Sequence, residues 1–472
     1  MNSFATRISQ RLSATCLALL LGTSMSLVAL PASADDLLDA YRLAKQNDPQ
    51  IRAAEATFLA AAETWPQARA AYLPQISATA STGESTAEQT NDELDFNSTT
   101  GTVNVIRGIE SSADTDSLSW SVDLRQSIFD WSKLKDFSRA SAEVAKAEAE
   151  YMAAQQALMI RVSERYFDLL KAIDNLEANK VNRESIGQQL EQTRKRFDVG
   201  LIAITDVQES QAAYDRAVAD EIAAQRQVNT SRERLRVVLG QYLENPETPV
   251  DNMPLTEPNP ASETEWVDKA REQNLEVISN RFAVESADAS VAINRAGHYP
   301  TLDLVAQRRY NETENTITDT TIPIPSTTRE SETTYIGVQL NVPIFSGGAT
   351  QSRVRQAAAQ RSAAMANFNL AVSTTESNTR DAYLGVISEI SRSRALKQAY
   401  ESASTALKAT QAGYEVGTRT AVDVLDARRA ELQALVNWKS SRYDYLLNLL
   451  RLKQAAGTLS DQDIEQVASF MD

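Results

Sequence analysis

The chain has 472 residues, with 47 basic and 63 acidic side chains and a formal net charge of −16. That balance, with no basic groove in the sequence to offset it, argues against a nucleic-acid partner. One cysteine and one histidine, Cys16 and His298, leave no disulfide, no cysteine or multi-histidine metal site and no His-based triad. No Gly-rich phosphate loop, HExxH or GxSxG occurs, so no cofactor and no enzyme activity are expected.

Residues 1–34 read as a secretory signal. Arg7 and Arg11 supply the charged start, Leu12 to Leu30 an apolar stretch, and Ala32-Ser33-Ala34 a small-x-small cleavage site. Cys16 lies inside that signal, so the exported chain has no thiol. Without Arg7 and Arg11 it carries 45 basic and 63 acidic residues, a net charge of −18. No later run of 18 apolar residues predicts a transmembrane helix. An exported soluble protein and a barrel whose membrane signal is alternation both remain open.

Residues 36–72 are Ala-rich with charges at helical spacing, and Leu73-Pro74 ends that helix. Residues 76–82 alternate as a strand, and residues 83–115 are polar enough to read as a long surface loop. In the next strand, Leu118, Trp120, Val122 and Leu124 alternate with Ser119, Ser121, Asp123 and Arg125, up to Ile128-Phe129. Period two with one polar face places water on one side and something apolar on the other. From Trp131 to Asp198 a helical pattern runs without proline, a rod of order 100 Å at 1.5 Å per residue. Val162, Tyr166, Leu169, Ile173 and Leu176 form a coiled-coil seam along it. After the returning helix, residues 241–264 are a Pro-rich linker.

The second half repeats the first. A helix over 265–296 ends at Tyr299-Pro300, and Leu302, Leu304 and Ala306 start a strand. A Thr-rich loop follows over 311–333, then Ile336, Val338, Leu340, Val342 and Ile344 alternate up to Phe345. A second rod runs over 349–412. Its returning helix carries a seam of Val422, Leu425, Leu432, Val436, Leu446 and Leu450. The tail, residues 458–472, is short and acidic with a brief helix near 461–471. Phe197-Asp198-Val199-Gly200 and Tyr414-Glu415-Val416-Gly417 stand 217 residues apart, as do Tyr166 and Tyr383, and Gly240 and Gly457. Residues 35–240 and 265–457 therefore read as a tandem duplication.

Four strands cannot close a barrel, and an open edge is not tolerated in lipid. Either the hairpins pack as a small soluble sandwich, or several copies pool their strands. Three copies would supply twelve strands, within the range of outer-membrane barrels. An exported rod protein without a pore is the alternative.

Gly200 and Gly417 fall where a helix ends in the left-handed conformation, and Thr205 and Thr420 read as N-caps of the returning helices. Asp423 and Asp426, three apart, share one helix face. The copies differ here: Arg419 stands where the first copy has Ile202, and the Asp423/Asp426 pair is read only in the second.

The segments Gly413 to Ala427 and Arg196 to Val207 closely resemble the two turn motifs of the TolC family of outer-membrane channels. The resemblance covers residues 36–457. It implies a mixed α and β membrane protein: a trimeric 12-stranded outer-membrane β-barrel, four strands per protomer, continuous with a long periplasmic α-helical coiled-coil barrel. It implies links among Tyr414, Arg419, Thr205, Asp206 and Gln189 that keep the inner tips closed, with Asp423 and Asp426 lining the narrowest point. It implies an exit duct of tripartite efflux pumps or type I secretion systems, passively conducting drugs or polypeptides outward. Its partners would be outer-membrane lipid, two further copies, a periplasmic adaptor and an inner-membrane RND, ABC or MFS transporter.

Overall fold

The computed structural model describes residues 36–243, 245–250, 253–319 and 325–471. The signal read over residues 1–34 lies outside the described residues. The first half contains α1 (Leu37–Asn47), α2 (Pro49–Ala62), α3 (Thr64–Ala70), β1 (Gln75–Asn97), β2 (Thr102–Phe129), α4 (Trp131–Asp198) and α5 (Ile204–Leu239). The second contains α6 (Glu263–Gln273), α7 (Leu275–Ala296), β3 (Thr301–Asp319), β4 (Thr327–Asn341), α8 (Ala349–Glu415) and α9 (Ala421–Ala455), with α10 (Asp461–Ala468) behind it.

Two expected continuous helices are broken. The one over 36–72 stops at Asp48, whose carboxylate accepts from the Gln50 N–H at 2.6 Å while Pro49 opens α2. The one over 265–296 breaks at Asn274, whose side chain accepts from the Glu276 and Val277 N–H groups. A short polar side chain competes with the helical ladder for the same donors. Apolar periodicity survives a one-residue break, which is why the pattern hides it.

The rods α4 and α8 have 68 and 67 residues, each about 100 Å long. Asp130 caps α4 by accepting from the Ser132 N–H at 2.9 Å. Val162, Tyr166, Leu169 and Leu176 are buried along its seam, and Ile173 packs partly buried beside them. In α9, Leu425, Leu446 and Leu450 are buried, whereas Val422 is 40% exposed. That position leaves the expected seam because the first turn of α9 buries Ala421 and Val424 instead.

The main core lies where α1, α4, α5, α9 and α10 meet, around Leu37, Tyr166, Phe167, Leu239, Tyr445 and Leu450. The Pro-rich linker is stitched onto it. Buried Arg442 donates to the carbonyls of Pro249 and Val250, Tyr166 donates to Glu247 O at 3.0 Å, and Pro249 forms a β-bridge with Met471. The Arg442 and Tyr166 bonds satisfy backbone carbonyls, and the bridge the Val250 N–H, that a linker without regular structure would otherwise leave unpaired.

The strands form one antiparallel sheet in the order β1-β2-β3-β4, so β1 and β4 are its two edges. One face carries Ile76, Val122, Leu124, Leu304, Ala306, Ile336, Val338 and Leu340, paired as Ile76 with Leu124, Leu304 with Val338 and Ala306 with Ile336. The other face is polar: Thr79 bonds Ser121 at 3.0 Å, Ser121 bonds Asp123 at 2.7 Å, and Arg125 pairs with Asp303 at 2.6 Å. Aromatic pairs bound the apolar band. Trp120 stacks on Tyr310 at 6.0 Å, and Trp131 meets Tyr299 edge-on at 6.5 Å. The roughly ten residues between them, at ~3.3 Å each and tilted ~45°, span about 24 Å, the height of a barrel's lipid-facing band.

The regions read as long loops are mostly strand. Pairing continues from Gly83 with Ser117 out to Asn97 with Thr102, and β3 and β4 remain paired to Asn315 and Thr327. Thr- and Ser-rich ribbons need only their backbone ladder when water meets both faces, so polarity alone misread them. Conversely, β4 ends at Asn341 rather than at residue 345, since Pro343 has no N–H for the ladder.

Candidate gate at the helical tips

Both rods end the same way. Gly200 and Gly417 each have φ of 78°, a region glycine enters without steric cost. The Leu201 N–H donates to Arg196 O at 2.9 Å, and the Thr418 N–H to Gly413 O at 2.8 Å. These bonds reach back around the turn to carbonyls that the helix end leaves free.

The returning helices start differently. Thr420 caps α9 in a reciprocal box: its hydroxyl accepts from the Asp423 N–H at 3.2 Å, and its own N–H donates to Asp423 Oδ2 at 2.9 Å. The Thr420 backbone N–H, and then its hydroxyl, hold the Asp423 carboxyl below its usual range, with Arg419 adding to the effect. At the same offset α5 has Ala203 as its N-cap residue, with no side-chain bond. Thr205 lies inside the first turn and exposed, so it is not the cap its sequence position suggested.

Among the named gate residues, the Asp206 N–H donates to Ala203 O at 3.2 Å, and its carboxylate has no partner among the described residues. Arg419 does not pair with Asp206 or Thr205 within the chain; its side chain lies against Gly413. Gln189 is buried and its side-chain nitrogen has no hydrogen-bond partner among the described residues, while its backbone carbonyl accepts from the Thr193 hydroxyl at 2.8 Å. Asp426 pairs with Arg429 at 2.9 Å. At the 217 offset, Asp206 and Glu209 match Asp423 and Asp426. The carboxylate pair therefore occurs in both copies, and what the second adds is its cap and Arg429.

Near the tips the hairpins of one chain touch at Leu425 and at Arg196. Leu425 of α9 is buried against Ile186 of α4 and Ala217 of α5. Arg196 near the end of α4 lies over the ring of Tyr414 at the end of α8, 4.8 Å from its centroid. Arg196 was not among the residues singled out from the sequence. The available signal was its place before Phe197, the counterpart of Tyr414.

A sheet with one lipid-facing and one polar face, running into rods whose tips meet far from it, is the architecture of an outer-membrane channel subunit. The family model described as outer membrane efflux protein matches residues 40–241 and 266–458. The chain belongs to that family. The outer membrane protein TolC of Vibrio cholerae is 35% identical over 92% of this chain and 93% of the relative. The Escherichia coli TolC is 33% identical over 95% and 87%. The alkaline protease secretion protein AprF of Pseudomonas aeruginosa is 31% identical over 95% and 90%. The fold is similar to that of the Campylobacter jejuni CmeC outer membrane channel, with a TM-score of 0.71 and 17% identity over 92% and 90% of the two chains. The chain is an outer-membrane efflux duct subunit, in a family of channels rather than enzymes.

Proposed function

We propose that three copies of this chain close a twelve-stranded barrel above a twelve-helix tunnel, with residues 35–240 and 265–457 as its two repeats and residues 1–34 as the export signal. The observation that carries this is the open-edged sheet. Its lipid-facing side needs a membrane, while the β1 and β4 edges need partners before they can lie in one. The tips act as the gate. Asp206 and Gln189 hold groups with no partner among the described residues of the protomer, and Arg419, Thr205 and Tyr414 stand in the same turns. Asp423 and Asp426 line the mouth.

In this reading the duct is passive. A periplasmic adaptor and an inner-membrane transporter supply cargo and energy, and drugs or polypeptides pass outward. The relative named for alkaline protease secretion favours a polypeptide route alongside efflux. Single-channel recording in a planar bilayer tests the reading. The parent should give discrete, small conductances that rise when Arg419 or Asp206 is replaced by alanine. Parent protein without discrete channels would favour the rod alternative, and unchanged conductance in both variants would remove these residues from the gate.

A further inference from the structure

Two residues of β4 stand out on the polar face of the sheet. Tyr335 pairs across to Gln307 and, one strand further, to Asp123, so it shares the side that carries the Arg125–Asp303 ion pair. Gly337 is on that side too, opposite Val305. The Tyr335 ring does not project from the wall but leans along the strand over Gly337. A Cβ built on Gly337 would lie 2.8 Å from the ring's Cζ and closer still to the hydroxyl oxygen. Any side chain at 337 would therefore have to displace the ring. Tyr335 is only 53% exposed, although β4 is an edge strand open on one side. The two residues also arrive together. β2 and β4 align at an offset of 216, with Val122, Leu124 and Ile128-Phe129 answering Val338, Leu340 and Ile344-Phe345. At that offset Tyr335 stands where β2 has Ser119, and Gly337 where it has Ser121.

We infer that Tyr335 and Gly337 together set the bore of the barrel: Gly337 is a recess in the lumen wall that holds the Tyr335 ring flat, and Tyr335 is the side chain that narrows the passage when raised. This rests on the trimeric-barrel reading above, in which the polar face lines the lumen. Twelve strands about 4.8 Å apart and tilted about 40° make a wall about 24 Å across between backbones. Side chains on opposite walls fill part of that width, so three aromatic rings standing into the remainder would decide what passes. Lying down, each ring covers backbone that glycine leaves bare, while its hydroxyl stays in lumen water. In the trimer β4 meets β1 of the next copy. On this face β1 carries Ser77, Thr79 and Ser81, small enough to leave the ring its place at the seam. Aromatic cover over an edge glycine also stabilises a strand by itself, and the two roles give different results below.

The test is single-channel recording of the full chain with neutral polyethylene glycols of graded size added on the barrel side, where the barrel and not the helical tips limits entry. Gly337→Ala should shift the largest polymer admitted to a smaller size. Tyr335→Ser/Gly337→Ala should return that cut-off to the parent value, and Tyr335→Ser alone should admit polymers at least as large as the parent does. An unchanged cut-off in Gly337→Ala overturns the recess. A cut-off that stays low in the double variant assigns the narrowing to the strand rather than the ring, and overturns it as well. Tyr335→Ser that lowers trimer yield while every variant keeps the parent cut-off leaves the ring a strand-stabilising role alone, against the proposal. Tyr335→Cys covers the case in which Gly337→Ala does not assemble, since Cys16 is the one native cysteine. That variant should react with a membrane-impermeant thiol reagent from the barrel side, and a bulky adduct should lower the cut-off. An unreactive thiol places position 335 outside the lumen and overturns the proposal. Parent protein without discrete channels defeats the barrel reading itself, whereas a conducting parent with any of these failures defeats the recess alone.

Discussion

The side-chain amide of Asn274 donates to the carbonyl of Ala455 at 2.9 Å, tying the break between α6 and α7 to the end of α9. The first repeat does the same, with Asn47 donating to Leu239 O at 2.9 Å. Gly457 follows at φ 73°, and a Cβ there would lie 2.2 Å from the Gln273 carbonyl oxygen. Gly457→Ala should therefore force the backbone apart and destabilise the assembled protein by more than ~2 kcal/mol. Gly200→Ala, with open space around it, should lose only the ~1 kcal/mol of an unfavourable backbone conformation. Thermal melts of the two variants check the difference; equal losses would contradict it.

Asp48 is 2% exposed, caps α2, and pairs with Arg161 of α4 at 2.6 Å. Asp48→Ala strands the arginine and an open helix start together. A loss of about 3 kcal/mol is expected, as for other broken buried pairs. Denaturant unfolding measures it, and a loss below about 1 kcal/mol would show the pair to be weakly coupled.

The missing cap on α5 predicts a gain. Ala203→Ser should let a side chain accept from the first-turn N–H groups and stabilise the helix start by about 1 kcal/mol. Hydrogen exchange at the first turn of α5 should slow. Unchanged exchange would mean that the tip does not adopt the capped geometry.

Asp423 sets an acid limit on α9. Its folded carboxyl titrates below the ordinary range because Thr420 donates to the charged form. The unfolded state then binds protons first, so the stabilisation is complete above the ordinary carboxylate range. It is lost as pH falls through the lower folded value. Acidification should speed amide exchange in the first turn of α9, and Asp423→Asn should flatten that pH dependence. An identical acid response in the variant would assign the effect to another carboxylate.

The sheet faces can be told apart by charge. Val338→Arg, on the apolar face, should cost ~2–4 kcal/mol and reduce membrane assembly, whereas Gln339→Arg on the polar face should be tolerated. Assembly yield in outer membranes reads the contrast; equal yields would reverse the assignment of the faces.

Much of this architecture was legible in the chain. The proline-free run from Trp131 to Asp198 marked the first rod, and the constant offset paired the tips. Alternation from Leu118 to Leu124 marked the lipid face. The misreadings share one cause, since a residue type was taken without its hydrogen-bond partner. Asp48 and Asn274 look like ordinary polar positions on a helix until their capped N–H groups are seen. The Thr-rich ribbons look like loops until their ladder is. Thr205 looked like a cap because the true cap position, Ala203, has no side chain able to do it. Arg196 was hidden for a different reason, since its partner lies in the other copy and no spacing within either copy reveals it.

The edges of the sheet are unlike strands, 23 residues in β1 and 15 in β4. In the proposed trimer β4 of one copy meets β1 of the next, so contact between copies is head-to-tail rather than self-complementary, and each added copy exposes the same edge that the last one covered. Such a chain has no terminating dimer: growth ends only when rotation brings the last β4 back to the first β1. An incomplete ring keeps an unpaired edge that lipid will not accept. In that ring closure and insertion would be one event, and a single protomer would have no resting place in the bilayer on its own.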